Sequence, residues 1–302
     1  MPARGARKHR PRARLAKRVT LRRVQTLRAE TAEGVRELIL ARPDEYNTIN
    51  PTLRDELSAA IDDADADDAV HAILLRAEGR AFCAGYGLDW STEAQAAERG
   101  SGRVWDSVQD MALIGSFVDA YMKLWYCRKP TIAAVQGWCI GGGTDMVLCA
   151  DLILASENAS FGYPPARVWG TPTTAMWTYR LGFQQAKRYL FTGDEIPADE
   201  AVRIGLALEA VPNEELEPRA RELARRIARL PTNQLIMLKA LCNQPAEAMG
   251  LAASRRLGTI FDGVARHTQE GLDFVERAGE VGFRQAVRER DDPFGDYGSR
   301  PR

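Results

Sequence analysis

The 302-residue chain has no run of about 18 apolar residues, the length a membrane-spanning helix requires. Its longest apolar stretch, 131–150, is broken by Gln136 and Asp145. Histidine is scarce: His9, His71 and His267 are scattered, so neither a metal site nor a Ser-His-Asp arrangement follows from them. The five cysteines, at 83, 127, 139, 149 and 242, are odd in number and show no CxxC spacing. That argues against disulfides and zinc and points to buried thiols in a reducing cytoplasm. No GxSxG or Walker-type sequence occurs, and no GxGxxG sits between a strand and a helix. Hydrolase triads, NTPases and dinucleotide enzymes lose support accordingly.

Acidic residues are missing from two places. None precedes Glu30, although residues 1–29 hold eleven Lys and Arg. The overall charge is zero, so the rest of the chain carries 30 basic against 41 acidic residues, a net of −11. Residues 1–23 are therefore read as a basic, Pro-containing arm expected to be disordered, with the arm's boundary set at residue 30. Nucleic acid would be met through this arm only, by charge, with binding that weakens steeply as salt is added. The arm lacks the serines of a transit peptide and the apolar core of a secretory signal. The second gap runs from Asn158 to Gly193, which contains no Asp or Glu.

What is present is a large apolar fraction, 45%, enough for one sizeable core. Strand-like and helical segments alternate: a strand over 35–41, a helix from Pro51 to about Asp62, a strand over 71–76, an aromatic helix over 104–127, and a charged amphipathic helix over 217–230 stopped by Pro231. Residues 91–102 read as a polar loop, further helices run to about Arg290, and residues 291–302 read as a polar tail. The alternation predicts an α/β fold of stacked strand–strand–helix units.

Two glycine loops carry the chemical signal. Gly141-Gly142-Gly143 stands between the strand-like 131–135 and the helix-like 146–150. Glycines there let backbone approach a ligand and leave N–H groups at a helix N-terminus, a place for an oxyanion or a phosphate. Phe82-Cys83-Ala84-Gly85-Tyr86 follows another apolar run, 71–75. Two such loops can aim two N–H groups at one oxygen, as an oxyanion hole requires.

Phe82-Cys83-Ala84-Gly85 paired with Ile140-Gly141-Gly142-Gly143-Thr144-Asp145 resembles the enoyl-CoA hydratase/isomerase (crotonase) family. Further pieces match in order: Ala41-Arg42-Pro43 with Asn47 and Asn50, residues 129–137, residues 150–155, Ser160-Phe161-Gly162, residues 190–194 and residues 201–207. The resemblance implies a crotonase-like spiral over residues 31–230. It also implies a C-terminal helical region over 231–302 that supports homotrimers, often paired into hexamers. It implies a coenzyme A thioester substrate in acyl-CoA or fatty acid metabolism, with coenzyme A as part of the substrate and no bound cofactor or metal.

Carried over by motif, the oxyanion donors are the amides of Tyr86 and Gly142, with Ala84, Gly85 and Gly141 lining the substrate. Asp145, one helical turn beyond Gly142, takes the place of a family glutamate. It is one methylene shorter, and a lost reach of ~1.5 Å can cost on the order of 10² in rate. Pro165 stands where the second family glutamate is expected, and the gap from Asn158 to Gly193 supplies no substitute. Three routes to chemistry follow. Asp145 acts alone as an isomerase base. Or it orients water for hydration or thioester hydrolysis, aided by Tyr163 or Arg167. Or a carboxylate enters from the 91–119 segment, where Glu93, Glu98, Asp106, Asp110 and Asp119 are candidates. Arg42 and Arg80 are placed to meet coenzyme A phosphates. The resemblance is equally compatible with a member that has kept the fold and lost catalysis, binding coenzyme A esters or RNA.

Overall fold

The computed structural model describes residues 25–87 and 104–297. The basic arm as far as residue 24 and the loop at 91–102, with Glu93 and Glu98, lie outside the described residues.

Two sheets organise the molecule. The larger has the order β1 (Leu27–Ala32), β2 (Val35–Leu40), β3 (Ala72–Ala77), β5 (Thr131–Val135), β7 (Leu152–Ser156), β10 (Glu209–Val211). The smaller runs β4 (Ala81–Cys83), β6 (Trp138–Ile140), β8 (Ser160–Gly162), β9 (Ile196–Pro197). Consecutive strands divide between them: β3, β5 and β7 enter the large sheet, and each is followed within a few residues by β4, β6 or β8 in the small one. Each strand–strand–helix unit thus adds one parallel rung to both sheets, which is the expected spiral. β3 and β5 are buried along their whole length, hence their largely apolar sequences, and the one charge within them, Arg76, is paired with Glu37 at 2.8 Å.

The first helix, Pro51–Ala66, starts where its sequence says it should. Asn50 caps it, its side chain accepting from Leu53 N at 2.8 Å, and Pro51 fills the first turn. Leu53, Leu57, Ile61 and Ala64 form the buried stripe, one residue per turn. Asn47 ties this region to the first glycine loop: its amide donates to Glu78 O and Ala81 O, both at 2.9 Å.

Two sequence boundaries are corrected. The arm ends before residue 30, because Leu27–Ala32 is a strand whose first residue is buried. Glu56 collects the amides of Gln25, Thr26 and Leu27 at 2.9–3.1 Å and so fixes the strand's start. Residues 291–297 are no loose tail. Asp291 and Asp296 are buried against Arg167, and the Tyr297 ring stacks on Trp138 at 5.9 Å. Four helices, Thr232–Ala248, Leu251–Ala265, Gln269–Val281 and Phe283–Asp291, make up the C-terminal region. Among the described residues no helix is long and apolar enough to cross a membrane, and all five cysteines are free thiols.

Candidate active site

The site forms where the ends of β4 and β6 lie side by side. Gly141 leaves β6 with φ 57° and ψ −120°, a conformation that strains any residue with a Cβ, and the helix Gly142–Val147 begins immediately after it. Thr144 pins that start: its hydroxyl bonds to the carbonyls of Cys139 on β6 and Gly162 on β8. Gly141 N donates to Gly162 O at 2.9 Å.

The loop after β4 closes over this helix start. Gly85 has φ 89°, and a Cβ placed on it would stand 3.7 Å from Gly142 N. Ile49 N donates to Gly85 O and Gly87 N to Ile49 O, both at 2.8 Å. That alternation turns the Tyr86 amide to the other side of its segment from Ile49. The Tyr86 ring lies on Gly142 so closely that a Cβ there would be 2.8 Å from the ring edge. Gly143 is tighter still, since its Cβ would meet Cys83 O at 2.4 Å. Glycine at 142 and 143 is thus required by contact, whereas glycine at 85 and 141 is required by backbone angle. Tyr86, Gly142, Gly85 and Gly141 are brought together; Ala84, beside them, is exposed.

Asp145 sits one turn into the helix and is wholly buried. Its Oδ2 accepts Thr173 N at 2.8 Å and Thr173 Oγ1 at 3.0 Å, while its Oδ1 accepts Trp177 Nε1 at 2.9 Å. Burial pushes its pKa up to about 6, and the three donors hold it from going further. A carboxyl group in that range can both take and give a proton near neutrality. Around it the helix Ser107–Tyr126 presents Phe117, edge-on to Tyr86 at 5.5 Å, and Tyr121, whose buried hydroxyl faces that of Tyr86.

The remaining sequence candidates separate. Pro165 does lie at the site, its ring 3.8 Å from where a Gly141 Cβ would be. Its carbonyl accepts the amides of Val168, Trp169 and Gly170, so the segment closes as a tight turn that brings a proline, and not a carboxylate, up to Gly141. Tyr163 is buried against Trp177, but its hydroxyl donates to Thr171 O at 2.7 Å. Arg167 points instead at the C-terminus. Its guanidinium is committed to Asp291 and Asp296 at 2.7–2.9 Å and covered by the Phe294 ring at 3.9 Å, so its charge is already matched inside the fold. Arg42 bonds to Thr48 O at 3.2 Å and pairs with Glu45, and Arg80 lies over the Tyr46 ring at 4.4 Å. Both therefore flank the 42–48 turn beside the first loop.

Of the described carboxylates in 91–119, Asp106 caps a helix and Asp119 pairs with Arg255 at the surface. Asp110 is half-buried against Arg266, both of its oxygens at 2.8 Å from Nη2. Sequence reasoning missed Asp262, which shares Arg266 with Asp110. An Asp four residues before an Arg on an amphipathic helix reads as an ordinary surface pair, so no local signal marked it.

The family model described as Enoyl-CoA hydratase/isomerase matches residues 30–283. A probable enoyl-CoA hydratase of Rhizobium meliloti is 34% identical over 239 residues, covering 77% of this chain and 88% of its own length. A crotonyl-CoA hydratase of Syntrophomonas wolfei is 31% identical over 219 residues, covering 71% and 80%. The crystal structure of an enoyl-CoA hydratase from Mycobacterium smegmatis superposes with a TM-score of 0.86 at 43% identity, over 91% of this chain and 96% of that one. With the paired glycine loops and the split-sheet spiral that carries them, these matches show that the chain belongs to the enoyl-CoA hydratase/isomerase family.

Proposed function

We propose that the chain is an enoyl-CoA hydratase acting on 2-enoyl-CoA thioesters. The observation that carries this reading is the close apposition of the Gly85-Tyr86 loop and the Gly141-Gly142 helix start. The Tyr86 and Gly142 amides polarise the thioester carbonyl between them and hold the enolate oxygen as water adds at C3. Removing one such donor typically costs about 3 kcal/mol of transition-state stabilisation. Asp145 moves a proton at the adjacent carbon, and its pKa of about 6 suits that task. Phe117 and Tyr121 wall the acyl chain, and Arg42 and Arg80 meet the coenzyme A phosphates.

The test is loss of the conjugated-enoyl ultraviolet band across 2-enoyl-CoA substrates of increasing chain length. Turnover is expected, and the chain length that turns over fastest measures the pocket. The absence of an ionisable group at Pro165 favours a second reading, a single-base isomerase. In that case 3-enoyl-CoA gains the ultraviolet band while 2-enoyl-CoA keeps it.

The functional unit is a homotrimer or a hexamer. Helices Thr232–Ala248 and Leu251–Ala265 turn Met237, Leu241, Leu257, Phe261 and Val264 outward, each 45–70% exposed. Apolar side chains in that number on adjacent helices mark an association surface. Sedimentation of the full chain is expected to give three or six copies, and Leu241→Glu with Phe261→Glu to give monomer. A wild type that sediments as a monomer removes the proposal.

A further inference from the structure

From Leu257 onward, helix Leu251–Ala265 is built inside out. There it exposes Leu257, Ile260, Phe261 and Val264 and buries Thr259 and Asp262, with Arg266 buried just beyond its last turn. A helix that turns its polar face inward has a polar task there, because a buried carboxylate is costly unless used or matched. What lies under that face is the active site. Gly258 packs directly on the 172–173 backbone, where a Cβ would stand 2.6 Å from Pro172 O, and Thr173 is the residue that holds Asp145. Asp262 follows Gly258 by four residues, one turn along the same face. At the other end of that turn Gly263 abuts Asp110.

We propose that Asp262 is the second catalytic carboxyl group of this enzyme, supplied by the C-terminal helix where Pro165 has removed the side chain expected from the core. The proposal rests on the hydratase reading above. Arg266 fixes Asp262 through Nε at 3.1 Å, and Asp110 holds the other face of the same guanidinium at 2.8 Å. Beyond burial, which is the larger cause, the charge of Asp262 raises the pKa values of Asp145, Tyr86 and Tyr163. Burial and Asp110 raise the pKa of Asp262, and Arg266 opposes them. In hydration, Asp262 takes a proton from water as the water oxygen bonds to C3. The C2=C3 pair becomes the C1=C2 bond and the carbonyl pair moves onto the thioester oxygen, with Asp262 starting ionised and Asp145 protonated. The enolate then collapses as C2 accepts a proton from Asp145, and the two carboxyl groups recover their starting states through solvent as product leaves.

The experiment compares wild type, Asp262→Asn and Asp262→Glu in two measurements. In hydration of 2-butenoyl-CoA from pH 5 to 9, Asp262→Asn is expected to lower kcat by about 10²–10⁴ with KM changed less than threefold and the acidic limb of the profile gone. Asp262→Glu, which keeps a charge for Arg266 and so controls for folding, is expected to recover at least tenfold of that loss. In calorimetry with saturated butanoyl-CoA, in two buffers of different ionisation enthalpy, wild type is expected to exchange protons with solvent on binding and Asp262→Asn to exchange fewer. A kcat within threefold of wild type with an unchanged pH profile overturns the proposal and leaves hydration standing. If wild type hydrates nothing, the hydratase reading fails by itself. Identical proton exchange in wild type and Asp262→Asn, including none in either, then overturns the place given to Asp262.

Discussion

Gly143→Ala is expected to lower both stability and turnover more than any surface substitution in this chain. The added methyl would stand 2.4 Å from Cys83 O and 3.0 Å from Cys83 Cβ. The first obstacle is backbone rather than the tip of a flexible side chain, so relief requires the helix start and the β4 loop to move apart by most of an ångström. Overpacking of this kind costs about 1–3 kcal/mol and at times more. The same movement separates the Gly142 and Tyr86 amides, and a misplacement of about 1 Å costs on the order of 10² in rate. Thermal unfolding followed by circular dichroism and hydration of 2-butenoyl-CoA check the two effects together. An alanine variant of wild-type Tm and wild-type kcat would mean that the two loops are not held as described.

Asp145→Asn is expected to lose about 10²–10⁴ in kcat while its stability, lower than wild type at low pH, approaches that of wild type as pH rises. Two terms oppose each other. Both carboxylate oxygens receive donors, from Thr173 on one side and Trp177 on the other. An asparagine amide must therefore face one donor with another, leaving a buried N–H or O–H unpaired at about 1–3 kcal/mol. Against this stands the titration of Asp145 itself. Its folded pKa is raised to about 6 from 3.8, so the folded protein holds a proton that the unfolded chain has released. The contribution is fully present below about pH 4 and is lost as pH rises through 6, a loss of about 3 kcal/mol by pH 7. Asparagine does not titrate. Urea unfolding should find the variant less stable at pH 4 and close to wild type at pH 7. A stability difference that stays constant between those pH values would show that Asp145 does not gain a proton on folding.

The legible parts of the fold were those whose cause is local. Helix Pro51–Ala66 was readable because Asn50, Pro51 and a one-per-turn apolar stripe act within the helix itself. β1 was not, because only Leu27 of its six residues is buried and its start is set by Glu56, thirty residues away. The C-terminal residues looked like a polar tail for the same reason. Asp291 and Asp296 are hydrophilic in sequence and become buried only because Arg167 waits for them in the core.

At the site the division is equally physical. From residue identity followed the two glycine loops and the carboxyl at Asp145, since backbone freedom and titratable chemistry belong to the residue types, and the family resemblance added that Pro165 stands where a second carboxyl is expected. Tertiary structure alone decided which charges meet. It gave Arg167 to the C-terminus and Asp110 to Arg266. It also turned the polar face of helix Leu251–Ala265 inward, over the loop that holds Asp145. The pairing of charges far apart in the chain depends on burial and on the crossing of helices, and neither quantity is written in any stretch of sequence short enough to read.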